Sequence, residues 1–362
     1  MGESVMRADN QPILKVPTNI ITGFLGVGKT SAILNLIKNK PNNERWAVLV
    51  NEFGEIGVDS SLVQGMHSDT KQIFIREVPG GCMCCAAGVP MQVALNQLLL
   101  KSKPDRLLIE PTGLGHPKEV LQVLSSEHYR DTLLLQTNIT LVDARNLSDA
   151  RYTEHETFNQ QIAIANTVVG NKQDLYQEGD VGKLQDYVVK VAGQNTKVIF
   201  SEHGTFSLTE LDSTDQIQQP VSDHHDHHDH HDHHDHHDHH DHHTKSQPPA
   251  SEVSMPDRGF IKAVNKGEGF HSVGWRFAET KIFERNKLLL LFSALKVERM
   301  KAVLRTDNGM FGYNLTVDGL TETQLEECQE SRIELIAEQL NISLIEQQLF
   351  NCIKPLDKPV NS

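Results

Sequence analysis

Apolar residues in the first two hundred positions gather in short runs, without strict alternation. VPTNIIT (16–22), WAVLVNE (46–52), DRLLIEP (105–111), TLVDA (140–144), IANTVVGNK (164–172) and TKVIFSEHG (196–204) each hold such a run. Runs of this length suit strands buried on both faces. Between several of them the period lengthens to that of a helix, as in SAILNLIKN from Ser31 and VPMQVALNQLLLK at 89–101. Buried strands alternating with helices predict a parallel sheet covered on both sides, a doubly wound α/β domain ending near 212.

The pattern breaks at about residue 213. STDQIQQPVS, an Asp-His-His triplet written seven times from Asp223 to His243, and TKSQPPASEVSMPD offer little that could form a core. This stretch, 213–257, reads as a flexible linker rich in His and Asp. Beyond it, GFIKAV and GFHSVGWRFAE alternate as strands do, an apolar helical segment follows, and MKAVLRT, FGYNLTV and SRIELIAEQ complete the series. The expected organisation is an α/β nucleotide-binding domain over 1–212, the linker, and a smaller α+β domain over 258–362.

Charge changes the picture only after correction. The formal charge of −14 includes the seven aspartates of the tract, and without them it falls to −7. With no basic stripe, nucleic acid and anionic lipid are not expected partners. The opening MGESVMRADNQPILK has no apolar run of a secretory signal, and no Ser or Thr stands at position 6 for a myristoylation signal. No uninterrupted apolar stretch reaches membrane-spanning length. Five cysteines, an odd and uneven set, suggest free or metal-bound thiols in a reducing compartment, so the expected location is the cytoplasm.

The strongest local signal is Gly23-Phe24-Leu25-Gly26-Val27-Gly28-Lys29-Thr30, a complete Walker A pattern between a strand and a helix. Gly23, Gly26, Val27 and Gly28 supply a backbone that can wrap phosphates, and Ser31 extends the cradle into the helix. Lys29 can reach the β and γ oxygens, and the Thr30 hydroxyl is a magnesium ligand. Asn171-Lys172-Gln173-Asp174 follows a buried strand. A carboxylate at Asp174 can accept from both N1–H and the 2-amino group of guanine, which predicts GTP. Ser201-Glu202-His203 stands where a second base-contacting loop is expected. Glu110 and Gly113, in Glu110-Pro111-Thr112-Gly113, can order magnesium or its water and approach the γ-phosphate. The following Leu114-Gly115-His116 offers no glutamine to position water and no arginine finger is assignable, so slow intrinsic hydrolysis is expected.

Three of the five cysteines lie in GGCMCC: Cys82, Cys84 and Cys85. Thiolates favour zinc or copper(I) over magnesium, and Gly80 and Gly81 permit the irregular backbone needed for convergence. The fourth ligand is left open among Glu55, His116, water, another chain or a cargo acceptor. Exchangeable zinc, a structural metal, copper and plain redox thiols are all compatible with the spacing. Cys328 and Cys352 are isolated and read as core or surface thiols.

Together GFLGVGKT, NEFGEIGVD (51–59), GGCMCC, EPTGLGHP (110–117) and NKQD resemble the CobW-type metallochaperone GTPases, a branch of the G3E-class P-loop GTPases. The resemblance, nearest to the zinc-binding branch, extends to GFHSVGWRF and SRIELI. It implies a GTPase that couples GTP binding and hydrolysis to zinc handling and delivers the metal to a client metalloprotein. Carried over, Lys29 and Thr30 hold phosphate and magnesium, Cys82, Cys84 and Cys85 hold zinc, and Asn171, Lys172 and Asp174 read guanine. Residues 51–59 become a nucleotide-responsive switch, with Glu55 an extra metal contact. One departure stands out: where the family commonly has Arg-x-Lys-Gly, this chain has Arg299-Met300-Lys301-Ala302.

The fourteen histidines of the tract can bind Zn²⁺, Ni²⁺ or Cu²⁺, so it is either a low-affinity reservoir tethered near the cysteines or a repeat-expanded linker. Zinc could also bridge chains into a homo-oligomer. The competing functional readings are zinc storage or sensing with GTP-regulated assembly, and a GTP-dependent scaffold around a structural zinc.

Overall fold

A computed structural model of the chain describes residues 13–50, 72–78, 89–115, 117–212, 253–267, 269–326 and 328–355. The N-terminal half is built on a parallel sheet. Its strands are β1 (Val16–Gly23), β2 (Trp46–Val50), β3 (Ile73–Glu77), β4 (Arg106–Glu110), β5 (Leu133–Leu135), β6 (Ile139–Val142), β7 (Thr167–Asn171) and β8 (Lys197–Ser201). They run in the order β3-β2-β4-β1-β6-β7-β8, with β5 also paired to β1. Short β5 lies beside Val16–Thr18 and β6 beside Ile21–Gly23. Asn19 fills the gap between them by donating its amide to the Thr137 and Leu211 carbonyls at 3.0 and 2.7 Å.

Alternation within each strand explains the two-sided burial. Ala47, Leu49, Leu107 and Ile109 pack on one face against α2 (Val89–Ser102) and α3 (Pro117–Leu124). Val48, Val50, Leu108 and Leu141 pack on the other face against α1 (Lys29–Asn39). The helices present matching stripes: Met91, Ala94, Leu95, Leu98 and Leu99 in α2, and Ala32, Ile33, Leu36 and Ile37 in α1. Further along, α4 (Ala150–Thr153), α5 (Glu156–Ala163) and α6 (Asp180–Ala192) complete the layers. Because β1 is flanked by β4 on one side and β6 on the other, the chain reverses its winding at β1. Its C-terminal end is therefore the topological switch point, where α/β sheets bind ligands.

The C-terminal half forms an antiparallel sheet of β9 (Phe260–Gly267), β10 (Phe270–Phe277), β11 (Arg299–Thr306), β12 (Gly309–Thr316), β13 (Gly319–Gln324) and β14 (Ser331–Ala337), ordered β13-β12-β11-β14-β10-β9. One face buries Val273, Trp275, Phe277, Met300, Ala302, Leu304 and Leu335 beneath α7 (Arg285–Ala294) and α8 (Ile342–Phe350). The opposite face meets the P-loop half, with Arg299 and Lys301 at a cavity and Ile336 packed among Phe24, Leu25 and Leu114. The expected fold class is present: a P-loop type doubly wound sheet with a smaller antiparallel α+β unit.

β3, β5 and β13 were not expected from the sequence. β3 is an edge strand, half-buried along its whole length and ending in Arg76-Glu77. β13 is an edge strand rich in Thr and Glu, mostly exposed. β5 is only three residues long. Ala302, noted as the departure from Arg-x-Lys-Gly, lies in the interior of β11 and not in a turn, fully buried against the core.

Candidate nucleotide site

The P-loop leaves the end of β1 with three glycines at positive φ: Gly23 at 144°, Gly26 at 71° and Gly28 at 103°. At two of them the requirement is also spatial. A Cβ at Gly23 would meet the Leu141 carbonyl oxygen at 2.6 Å, and one at Gly28 would meet Asn171 Nδ2 at the same distance. Gly28 then starts α1 without a side-chain cap, leaving the first N–H groups of the helix directed at the loop.

Lys29 is buried, with Nζ donating to the Gly23 and Phe24 carbonyl oxygens at 2.9 and 3.3 Å. Thr30, the next helical residue, has its hydroxyl 3.2 Å from Glu110 Oε1 at the end of β4. Both are buried. A hydroxyl and a carboxylate brought together at the start of α1 form an oxygen-only donor set, which fits magnesium and not a soft metal. Gly113 lies against the loop itself, where a Cβ would come within 2.9 Å of the Leu25 nitrogen, and its carbonyl accepts from Gln161 Nε2 at 3.0 Å.

Asn171 ties three segments together. Its amide nitrogen donates to the Val27 carbonyl at 2.8 Å, and its amide oxygen accepts from the Gly204 N–H at 2.9 Å. Gly204 packs so tightly on α1 that a Cβ would meet the Ala32 nitrogen at 2.8 Å. The loop Ser201-Glu202-His203 is thereby held beside Asn171, with the His203 carbonyl accepting from Asn35 at 2.7 Å. Lys172 adopts φ 62°, and Asp174 is exposed on the short turn that follows. Ser31 opens onto the same space as Lys29.

That space is a cavity of about 310 Å³ between the two halves of the chain. Gly28, Lys29, Thr30 and Glu110 line one side, and Arg299 and Lys301 of β11 the other. Lys301 Nζ donates to Thr30 Oγ1 at 2.6 Å. A second tie lies near the Lys172 turn. Asp318, in the turn between β12 and β13, accepts from Lys172 Nζ at 2.5 Å and from Arg145 Nη1 at 2.8 Å, while Arg145 also bonds Asp143 at 2.6 Å. Burial pushes the Asp318 carboxyl upward, but the hydrogen bonds from Arg145 and Lys172 prevail and hold it below the usual carboxylate range. None of these C-terminal contributions was anticipated. The legible signal was a Lys and an Arg two residues apart within a strand-like run, which places both on one face.

The metal candidates Cys82, Cys84, Cys85 and Glu55, together with His116 and the histidine tract, lie outside the described residues. Among the described residues no group of three or more His, Cys, Asp or Glu gathers to hold a metal ion. Their flanks are placed, however: the Val78 N–H donates to the Val50 carbonyl at 3.0 Å, so the chain before 51–71 and before 79–88 ends side by side at the sheet edge that carries the P-loop. Cys328 and Cys352 are buried in the C-terminal half, where burial pushes the Cys328 thiol up to about 11 and raises that of Cys352. Both are core thiols. No helix among the described residues is long and apolar enough to cross a membrane.

Residues 17–199 match the family described as CobW/HypB/UreG, nucleotide-binding domain. The chain belongs to this family. The similarity to the zinc chaperone YeiR of Escherichia coli (strain K12) is 40% identity over 324 residues, 88% of this chain and 92% of that protein. Against the zinc chaperone CobW of a Sinorhizobium species, identity is 27% over 213 residues, covering 52% of this chain and 60% of that protein. Against the zinc chaperone YjiA of Escherichia coli (strain K12) it is 30% over 205 residues, covering 55% and 61%. As a G3E-class protein of the CobW/HypB/UreG family with a P-loop fold, the chain is a nucleotide hydrolase in its general class.

Proposed function

We propose that the chain is a GTPase that couples GTP binding and hydrolysis to zinc handling and passes zinc to a client metalloprotein. The observation that carries this is the combination of the glycine-rich loop, with Thr30 on Glu110 and Asn171 on Val27 around it, and the match along 324 residues to a protein named a zinc chaperone. In this reading the N–H groups from Gly26 to Ser31 and the Lys29 ammonium hold the phosphates. Thr30 and Glu110 hold magnesium, which when bound neutralises charge on the β- and γ-phosphates. Asp174 reads guanine, and Asn171 keeps that loop in register with the P-loop. Gly113, packed on Leu25, lets the segment after β4 respond to the γ-phosphate.

Cys82, Cys84 and Cys85 hold zinc as cargo, with Glu55 as an added contact. Residues 51–71 and 79–88 follow adjacent strand ends, which supports a shared response to nucleotide: a change at one is paired with a change at the other. Coupling of this kind is reciprocal, so nucleotide must alter zinc affinity by the factor by which zinc alters nucleotide affinity. With no glutamine directly after Gly113 and no arginine finger assignable from the sequence, hydrolysis is expected to be slow until a client binds.

The test is a zinc titration against a chromophoric chelator, using a variant lacking 223–243 to remove the weak imidazole sites. Affinity measured with Mg·GDP and with a non-hydrolysable Mg·GTP analogue should differ by at least about tenfold, or about 1.4 kcal/mol. A tight site indifferent to nucleotide would leave zinc stored or structural and end the delivery reading.

A further inference from the structure

We infer that the C-terminal unit completes the phosphate end of the nucleotide site, with Lys301 as a γ-phosphate-contacting group supplied from outside the P-loop half. The inference rests on the reading of the P-loop as a GTP site and names a component of that site which no P-loop motif contains.

Four observations converge on it. Lys301 is only 8% exposed, and its ammonium bonds the hydroxyl of Thr30 rather than solvent. Burying a lysine is costly without strong acceptors, and here Glu110, bonded to the same Thr30 hydroxyl, is the anionic group on the P-loop side of the contact. Second, Arg299 stands two residues earlier on the same face of β11, 9% exposed, and lines the same cavity. Three cationic side chains, Lys29, Arg299 and Lys301, and one carboxylate, Glu110, line the cavity, a balance suited to a multiply charged anion with its metal. Third, the remainder of that wall is polar: Asn314, Thr316, Thr321 and Thr323. Fourth, the wall is fixed in place. Asp318 ties it to Lys172 and Arg145, and Ile336 packs among Phe24, Leu25 and Leu114 beneath the P-loop.

The position of the contact decides which phosphate is involved. Thr30 is the Walker A hydroxyl, the group directed at the metal between the β- and γ-phosphates. A cation 2.6 Å from that oxygen is, on the GTP reading of the loop, at the γ end of the site. Bound GDP offers the Lys301 ammonium no terminal phosphate there, whereas GTP does. Lys301 thus distinguishes the two nucleotides and reports the difference along β11 to the C-terminal sheet.

The experiment uses the full chain with fluorescent GDP and a fluorescent non-hydrolysable GTP analogue, comparing the native protein with Lys301→Met, Lys301→Arg and, as a surface control, Lys266→Met. Lys301→Met should weaken the GTP analogue at least about fivefold while GDP changes less than about twofold, and Lys301→Arg should recover most of the loss. Amide exchange in β11 should differ between the two nucleotides in the native protein, and that difference should vanish in Lys301→Met. Equal weakening of both nucleotides would mark Lys301 as structural, and no change in either would remove it from the site; both results overturn the inference. Should Lys301→Met fail to fold, Lys301→Arg and the β11 exchange of the native protein still decide. A native protein that binds neither guanine nucleotide would instead remove the GTP reading, and this inference with it.

Discussion

At the scale of single residues, Asn171 does more than its motif suggests. From the sequence, NKQD is expected to be a guanine-reading turn, with the carboxylate of Asp174 as its reader. The structure uses the Asn171 amide to bridge the Val27 carbonyl and the Gly204 N–H, both within the buried shell of the loop. Asn171→Ala removes a donor and an acceptor together and leaves two backbone groups without that side chain. Each buried group so deprived costs roughly 1–3 kcal/mol, so the variant should lower unfolding free energy by about 2 kcal/mol or more. A urea titration with unchanged slope would register it. Nucleotide affinity should fall as well, because Gly28 and Gly204 lose their common anchor. Full nucleotide affinity together with native stability would refute the bridging role. The bridge was not legible, since it depends on three loops meeting and none is near another in sequence.

At the scale of elements, the buried parallel strands were readable because β2 is apolar throughout, β4 is apolar from Leu107 to Ile109, and the helices between them carry clear stripes. The missed strands carry a weaker signature: β3 has only the short apolar run Ile73-Phe74-Ile75 before Arg76-Glu77 and is half-buried at a sheet edge, while β13 is a mostly exposed edge strand rich in Thr and Glu. β11 was read as a strand, but what its alternation meant was not. Met300, Ala302 and Leu304 enter the core while Arg299 and Lys301 face the P-loop, a division of labour visible only once the second half of the chain is set against the first. Ala302 is therefore a core residue, and its departure from glycine concerns strand stability. Ala302→Gly should destabilise the chain by about 1 kcal/mol through backbone entropy and a lost methyl contact. A thermal melt should shift while GDP affinity holds. A loss of nucleotide affinity at unchanged stability would show instead that β11 needs alanine for its polar face.

At the scale of the whole molecule, two contacts from the C-terminal sheet reach separate parts of the P-loop half: Lys301 at Thr30 and Asp318 at Lys172. The second should make the union of the two halves sensitive to acid. Asp318 is held below the ordinary carboxylate value, so its contribution is fully present above the unfolded value of about 3.9 and is lost as pH falls through the lower folded value. Asp143 sits in the same cluster, 3.6 Å from Lys172 and bonded to Arg145, so the cations keep one carboxylate partner when Asp318 is removed. Fluorescent probes on α6 and α7 should accordingly report a constant separation from pH 7 to about 5 and an increase below about 4. Asp318→Asn should show part of that increase already at pH 7, with a weaker acid transition, because an amide cannot offer Lys172 and Arg145 the same charge-assisted bonds. The separation is the better measure than global stability, since exposed ion pairs contribute little to the latter and many other carboxylates titrate in the same range. Identical acid profiles for the native chain and Asp318→Asn would assign the transition to those other groups. A profile that flattens in the variant would locate at Asp318 the clasp that keeps β11, and with it Lys301, over the P-loop.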